Sequence, residues 1–250
     1  MSPQGGATPA DAIRVWRGYS NPAMTLEEFL ERLGTVFVPA TVLLQIDAGL
    51  DGYLPTVLGG LPGKPASVPD ETALVLWDVQ QAYRDGFKTL GVRAYHLIHG
   101  AVYTPQSSAE FPVMFAGELT AEQPCHLFAD PADWMHGEAV HMAGARPQEL
   151  EPPAFRAAVA QALASIQSTG GLSAAIACAG DEYLVYWALG EPGSPIPGTG
   201  AQQLAALCAW SHVVDLQPTR IEQGLWEQWP GMSIASGEGF NMQFTRRRER

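Results

Sequence analysis

Leu74-Val75-Leu76-Trp77 and Leu184-Val185-Tyr186-Trp187 are two matching stretches, one in each half of the chain. Each is followed by a histidine, His99 or His212, that stands six positions before a proline. The interval from tryptophan to histidine is 22 positions in the first half and 25 in the second. Matches in the same order at similar spacing indicate a duplicated unit, and two copies of one unit usually pack around a shared core.

Composition favours a globular protein that binds neither nucleic acid nor membrane. The chain has 250 residues, 46% of them hydrophobic, which is ample for a buried core. Its 26 acidic and 14 basic side chains give a net charge of −12, and this charge repels phosphate backbones. The sequence has no signal-peptide pattern at its start, and no apolar run reaches the roughly 18 residues of a membrane helix. We therefore expect a cytoplasmic location.

The three cysteines give no sign of a disulfide framework or a zinc site. Cys125, Cys178 and Cys208 are far apart and lie outside any Cys-x-x-Cys pattern. We expect each to be a small buried apolar residue.

The first half predicts six elements in the order β-α-β-β-α-β. Thr25 and Glu28 have the spacing of a capping box and mark a helix start. Apolar runs rich in β-branched residues favour strands, and residues spaced three and four apart favour helices. The pattern predicts strands at 13–18, 36–46, 72–79 and 111–119, and helices from Thr25 and over 80–102.

The second half predicts the same order after an irregular segment. A short strand at 126–129 lies within that segment. Pro152 and Pro153 lead into an alanine-rich helix, and Ala179-Gly180-Asp181-Glu182 predicts the turn of a hairpin. The predicted strands are 139–145, 172–178, 183–189 and 220–226, with an extra one at 240–244, and the predicted helices are 154–166 and 202–216. We divide the chain into a first unit at 12–122, a connecting segment at 123–138 and a second unit at 139–245.

This order is that of a ferredoxin-like unit, in which an antiparallel sheet buries one face under two helices. Two such units packed sheet against sheet would form an α+β barrel within one chain. With stretches such as 73–83 and 93–103, in which an acidic strand end leads into an Ala/Tyr-rich helix, the sequence resembles the dimeric α+β barrel superfamily in a tandem, two-unit form. The resemblance implies several activities: small monooxygenases of antibiotic biosynthesis, ring-opening oxygenases and tandem haem enzymes. The fold does not choose among them.

Tyr95, His96 and His99 are the first candidates for catalysis. They lie within one helical turn, so His99 shares a face with both other residues. Arg14 and Trp16 alternate with apolar residues on the first strand and are expected on its opposite face from Ile13 and Val15. A histidine or tyrosine could remove a phenolic proton, and Arg14 could stabilise the anion.

Three other histidines are candidates, and the role of His212 leaves alternatives open. His212 occupies the matching place in the second half, and the resemblance to tandem haem families would make it an axial ligand on a helix. A buried neutral histidine explains it equally well. His136 and His141 are five positions apart, which does not match a zinc-protease helix. His141 is expected to point into the space between the sheets, and no metal site is indicated.

A set of large side chains is expected to line a cavity between the sheets and to stack on a flat substrate. Its members are Trp16, Trp77, Phe115, His141, Tyr183 and Trp187. Packing in the hydrophobic core is the alternative explanation for each of these aromatic side chains taken individually.

The hypothesis that follows is an oxygenase-like enzyme, either without a cofactor or with reduced flavin as co-substrate. It would act on a hydrophobic aromatic or polyketide-type molecule. The alternatives are a haem-dependent oxidoreductase using His212 and a non-catalytic barrel that holds a ligand. A homodimer is left open.

Overall fold

The computed structural model describes residues 13–77, 80–86, 88–104, 125–129, 134, 138–191, 193–222 and 229–245. The predicted strand at 111–119, with Phe115, lies outside these residues, as does His136. Two five-stranded sheets and six α-helices are present in the described part of the chain. The predicted α+β class is therefore confirmed.

Among the described residues, the first half has three strands and four α-helices, with a π-helical segment between the first two helices. Thr25 accepts a hydrogen bond from the Glu28 backbone and forms the predicted capping box at the start of α1. The elements are β1 (Ile13–Gly18), α1 (Leu26–Arg32), the π-segment (Leu33–Phe37), α2 (Val38–Gln45), β2 (Leu50–Val57), β3 (Glu71–Trp77), α3 (Gln80–Gly86) and α4 (Leu90–Val102).

The described part of the second half follows the predicted order up to its last helix, and its hairpin is confirmed, but the next element is a strand where a helix was predicted. The elements are β4 (Cys125–Ala129), β5 (Glu138–Ala145), α5 (Pro152–Thr169), β6 (Leu172–Ala179), β7 (Tyr183–Gly190), α6 (Ile196–Ala205), β8 (Trp210–Asp215), β9 (Gln217–Glu222) and β10 (Phe240–Thr245).

The second half contributes strands to both sheets. Sheet 1 has the order β1-β3-β2-β10-β9, and sheet 2 has the order β4-β6-β7-β5-β8. Thus β10 from the end of the chain pairs with β2 of the first half, whereas β4 pairs with β6 at the edge of sheet 2. Between β8 and β9 only Leu216 separates a strand of sheet 2 from a strand of sheet 1. The division into 12–122, 123–138 and 139–245 stays a prediction, but the pairing of β10 with β2 ties the two halves together.

Buried side chains form three layers. One lies between sheet 1 and its helices, and one lies between sheet 2 and helices α5 and α6. The third lies between the sheets and includes Leu54 and Leu74 from sheet 1 and Val185 and Trp187 from sheet 2. The predicted packing of sheet against sheet is therefore confirmed, and described side chains fill a continuous cluster between the sheets.

Residues 36–46 are helical, so the predicted strand there is wrong. Pro39 lies in the first turn of α2, directly after the π-segment, rather than at a strand edge. The run is continuously apolar because the helix is buried on most sides, and such a run does not show a helical period. The strand of this unit is β2, at residues for which no element was predicted.

The predicted helix over 202–216 is also wrong in its second part. The helix α6 ends at Ala205, and Trp210–Asp215 pairs with β5 as strand β8. His212 is therefore on a strand. The predicted strand at 220–226 begins earlier, at Gln217, and residues 223–228 lie outside the described part.

The repeated sequence stretches fall on equivalent strands but face opposite ways. Both lie on the third strand of their unit, β3 or β7. Trp77 faces the helices of its sheet, whereas Trp187 faces the space between the sheets. His99 and His212 are not equivalent, because one lies on a helix and the other on a strand. The described parts of the two halves are therefore similar in strand order, but the matching sequence positions are not structurally equivalent.

Candidate active site

The predicted catalytic residues meet on the helix-facing side of sheet 1. Arg14 and Trp16 alternate on β1 with Ile13 and Val15, which face the other sheet. Tyr95 and His99 are one turn apart on α4, and their ring centroids are 4.4 Å apart. We define the aromatic cluster by its members at this place: Trp16, Phe37, Tyr95, His99 and Tyr103.

His99 sits at the centre of the aromatic cluster. Its ring makes edge contacts with Trp16 at 4.8 Å and Phe37 at 5.0 Å between centroids. The Nδ1 atom lies 3.0 Å from the backbone oxygen of Tyr95. Because a carbonyl only accepts, Nδ1 carries the proton of the neutral ring and Nε2 keeps its lone pair. Burial lowers the pKa of His99 to about 4, with smaller contributions from His96 and Arg14.

Tyr95 is buried beside His99 and bonded to the next helix. Its phenolic oxygen lies 2.9 Å from Thr41 Oγ1 on α2. Burial raises the pKa of Tyr95, and the charge of Arg14 opposes this shift. Tyr95 is therefore a neutral hydrogen-bonding group at ordinary pH rather than a base.

His96 lies at the exposed edge of the same helix. Its ring is 5.6 Å from that of His99. Partial burial lowers its pKa, and the nearby positive charge of Arg14 lowers it further. Arg14 lies on the same face of β1 as Trp16, and its positive charge acts on the pKa of Tyr95, His96 and His99.

Glu71 is a buried carboxylate that the sequence analysis missed. It accepts hydrogen bonds from Tyr53 at 2.5 Å, from Tyr103 at 2.6 Å and from Trp16 Nε1 at 2.6 Å. Burial raises its pKa, while these three hydrogen bonds act in the opposite direction. A signal was present in the sequence, since alternation along β3 places Glu71 on the same face as Trp77.

Trp16 connects this carboxylate to the aromatic cluster. Its Nε1 donates to Glu71, while its ring contacts both His99 and Tyr103. The indole is thereby held in one orientation against the imidazole. The helix-facing side of sheet 1 thus combines a half-buried histidine, a buried carboxylate and a cation, and such sets of shifted titratable groups are typical of functional sites.

The predicted substrate-binding residues do not form one set. Trp16 and Trp77 lie on the helix-facing side of sheet 1, whereas His141, Tyr183 and Trp187 lie between the sheets. His141 Nε2 is 2.9 Å from Thr72 Oγ1, and the His141 ring packs edge-on against Trp187 at 4.7 Å. Full burial lowers the pKa of His141 to about 3. His141 is therefore placed as predicted, but in a different layer from His99.

His212 does not have the helical position on which the haem alternative depended. On β8, its Nε2 donates to the backbone oxygen of Gly237 at 3.0 Å. This hydrogen bond engages one of the two ring nitrogens, and the haem alternative stays a prediction. Within the described ranges, no three His, Cys, Asp or Glu side chains form a group that could hold a metal ion.

Comparisons with known proteins identify no family for this chain. No family model and no curated protein matches it. Among solved structures it is similar to a proposed monooxygenase from Fusobacterium nucleatum subsp. nucleatum, with 9% identity, a TM-score of 0.39 and coverage of 84% of this chain and 91% of the other.

Two further structures are similar to a comparable extent. An anthrone oxidase-like protein has 10% identity and a TM-score of 0.36, with coverage of 82% of this chain and 93% of the other. A proposed monooxygenase from Lactobacillus acidophilus has 7% identity and a TM-score of 0.35, with coverage of 82% and 91%. At scores this low the likeness adds nothing to the case for a site, which stands on its geometry.

No helix of the described residues combines the length and the apolar character needed to cross a membrane.

Proposed function

We propose that this chain is an oxygenase-like enzyme that acts on a hydrophobic aromatic molecule, and that His99 is its proton acceptor. The observation that carries the proposal is the geometry of His99. The ring is enclosed by aromatic side chains, its tautomer is fixed by the Tyr95 carbonyl, and its Nε2 keeps a lone pair. A phenol stacked in this cluster would give its proton to Nε2.

Arg14 supplies the second requirement, which is stabilisation of the anion. Its positive charge opposes protonation of His96 and His99 and favours ionisation of Tyr95. The same field would favour a phenolate over a phenol at this place. The electron-rich phenolate then reacts with molecular oxygen, which is the oxidant: a ring carbon forms a bond to one oxygen atom, and two electrons from the phenolate reduce O2 to the peroxide level. Protonated His99 returns its proton to the terminal oxygen, so that the product is an organic hydroperoxide and the imidazole is neutral again.

The aromatic side chains supply the third requirement, which is a surface for a flat molecule. Trp16 and Phe37 line the approach to His99 with stacked and edge contacts. Aromatic faces bind flat apolar ligands through dispersion and their quadrupoles. A polyketide-type substrate fits this description, and reduced flavin is proposed only as an alternative co-substrate.

Oxygen uptake with a panel of hydroquinone-type substrates, with and without reduced flavin, tests the proposal. The variant His99→Gln should lose about 10²-fold or more in kcat/KM, which is the usual contribution of a positioned base. The matched control is Leu97→Gln on the same helix, where the side chain is 81% exposed. Full activity in a protein with both His96 and His99 replaced by alanine would rule the proposal out.

The pH profile gives an independent signature. Because His99 accepts a proton only when neutral, kcat/KM should be constant above its pKa of about 4 and fall as the pH drops through that value. A profile that instead falls near pH 6.5 would point to an unperturbed histidine elsewhere.

The non-catalytic alternative is a barrel that holds a ligand between the sheets. It is favoured by three buried polar atoms with no hydrogen-bond partner among the described residues: Thr56 Oγ1, His141 Nδ1 and Trp187 Nε1. Buried polar atoms normally have a partner. Native mass spectrometry of the purified protein would reveal a retained small molecule, and its survival in His99→Gln would assign it to the space between the sheets.

A further inference from the structure

A groove of about 610 Å³ lies on the outer surface of the first half. One wall is α1 with the first part of the π-segment, and the other is the segment 230–234. Phe29 on the opposite side of α1 is buried and contacts Tyr103. Helix α1 therefore separates the groove from the aromatic cluster, and the groove is a different site. Its lining residues are Leu26, Glu27, Leu30, Glu31, Thr35, Pro230, Gly231, Met232, Ser233 and Ile234.

Two glycines allow the backbones of the two walls of the groove to approach closely. The Met232 amide donates to the Gly34 carbonyl at 3.0 Å. A Cβ atom on Gly34 would collide with the Met232 carbonyl oxygen, and one on Gly231 would collide with the Gly34 carbonyl oxygen. Gly231 also has φ +93°, a conformation that favours glycine. The close approach of the two walls therefore requires these residues.

The π-segment is the second unusual feature of this wall. A π-helix widens one turn and is energetically poorer than an α-helix, and it is frequent at functional sites. Here it turns Gly34 toward the segment 230–234 and leaves Thr35 on the groove side. A π-helical turn and two glycines that the close approach of the walls requires lie at one place. Their coincidence indicates that the backbone is specifically shaped to form this groove.

The chemistry of the lining is apolar with acidic groups on one wall. Leu30, Met232 and Ile234 form the floor, and Leu26 is 46% exposed, which is high for a large apolar side chain. Glu27 and Glu31 are exposed and lie one turn apart on α1. Neither carboxylate takes part in an ion pair with a described residue.

No basic side chain lines this groove among its described residues. We propose that it binds a small hydrophobic amine, with the apolar body against Leu30 and Met232 and the ammonium group between Glu27 and Glu31. The volume falls within the roughly 300–1,000 Å³ of small-molecule sites. The charge of the two carboxylates complements a cation, and the apolar floor selects for an attached chain or ring.

The experiment compares three probes of equal chain length by isothermal titration calorimetry: decylammonium, decanol and decanoate, each below its micelle concentration. Decylammonium should bind about tenfold or more tightly than decanol, and decanoate should bind most weakly. Raising the salt concentration should reduce the preference for the ammonium probe, because the carboxylates are exposed.

Two sets of variants distinguish the contribution of the carboxylates from that of the apolar lining. The double variant Glu27→Gln/Glu31→Gln should abolish the preference for decylammonium while leaving decanol binding unchanged. Leu26→Ser should weaken all three probes by a similar factor. The control is Glu149→Gln/Glu151→Gln, which makes the same change in net charge at exposed positions of the second half.

Equal binding of the three probes by the wild type would overturn the proposal. So would an equal loss of preference in the control double variant, because the overall net charge would then explain the selectivity. All these variants should keep the wild-type oxygen uptake, since none of them touches the aromatic cluster. Failure here would therefore leave the proposed function of His99 unaffected.

Discussion

The helix-facing layers of the two sheets occupy equivalent places in the duplicated fold but contain different kinds of side chain. Beneath α5 and α6, the layer of sheet 2 is mostly aliphatic, with residues such as Val140, Val159 and Leu184. The corresponding layer of sheet 1 holds Glu71 and His99 among aromatic residues. The difference teaches that two layers in equivalent places can differ in chemistry, since among the described residues the buried carboxylate and the half-buried histidine lie in the layer of sheet 1.

The largest effect should come from placing a charge in the second layer. Leu184 is fully buried there, and Leu184→Glu would introduce a carboxylate without the three donors that surround Glu71. We expect a loss of about 3–5 kcal/mol in the free energy of unfolding, the usual cost of an uncompensated buried charge. Urea denaturation measures it, with Leu184→Met as the size control. A loss below about 1 kcal/mol would show that the two layers tolerate charge equally.

The converse change removes the carboxylate from the first layer. Glu71→Ala leaves the side chains of Trp16, Tyr53 and Tyr103 without their acceptor, so we expect a loss of about 3 kcal/mol. Glu71→Gln keeps an acceptor and should lie within about 1 kcal/mol of the wild type. Equal losses in the two variants would mean that packing, not hydrogen bonding, is what Glu71 provides.

The pH dependence of the free energy of unfolding should also differ between the wild type and Glu71→Gln. Burial raises the pKa of Glu71 in the folded state, so its contribution to stability is full below the unfolded value of 4.5 and is lost as the pH rises through the folded value. The wild type should therefore lose stability relative to Glu71→Gln as the pH rises above 4.5, as followed by urea denaturation.

The layer between the sheets should respond to pH with the opposite sign. The pKa of His141 falls from 6.5 to about 3 on folding, so the folded state resists protonation while the unfolded chain accepts it. Acidification from pH 7 to pH 5 should cost about 2 kcal/mol of stability through this residue. Urea denaturation of His141→Gln should lack this part of the slope. An identical slope in the two proteins would contradict the burial of a neutral imidazole.

The smallest expected effect compares the helix starts of the two halves. Thr25 caps α1 through a hydrogen bond to the Glu28 backbone, whereas Glu151 precedes α5 without a side-chain cap. Thr25→Ala should cost about 1 kcal/mol. Glu151→Ala should change the melting temperature little, since Pro152 already sets the first turn of α5. A larger loss from Glu151→Ala would show that α5 depends on a contact of that side chain.

Several parts of the site could be predicted because they depend on local spacing. The i, i+4 relation of Tyr95 and His99 and the alternation of Arg14 and Trp16 follow from helix and strand geometry alone. That α4 places Tyr95 and His99 against the face of sheet 1 that carries Arg14 and Trp16 could not be predicted in the same way. It depends on the direction in which α4 packs on the sheet, which the local pattern of either segment leaves open.

The wrong predictions and the missed site residue have related causes. The run 36–46 is apolar all round, and such a run favours a strand or a buried helix equally until its neighbours are known. His212 appeared helical because 202–205 has a helical period, while the following strand is stabilised by pairing with distant β5. Glu71 was missed because its importance comes from Tyr53 and Tyr103, which approach it from elsewhere in the chain.

The sequence by itself determined the α+β class, the capping of α1 and the residues that share a face of β1 or α4. These features depend on hydrophobic periodicity and capping chemistry, which act over a few residues. Only the tertiary structure decided which layer holds the candidate site, how Glu71 is surrounded and how β10 joins sheet 1 and β4 joins sheet 2. These features arise from long-range pairing and burial, and no local pattern encodes them.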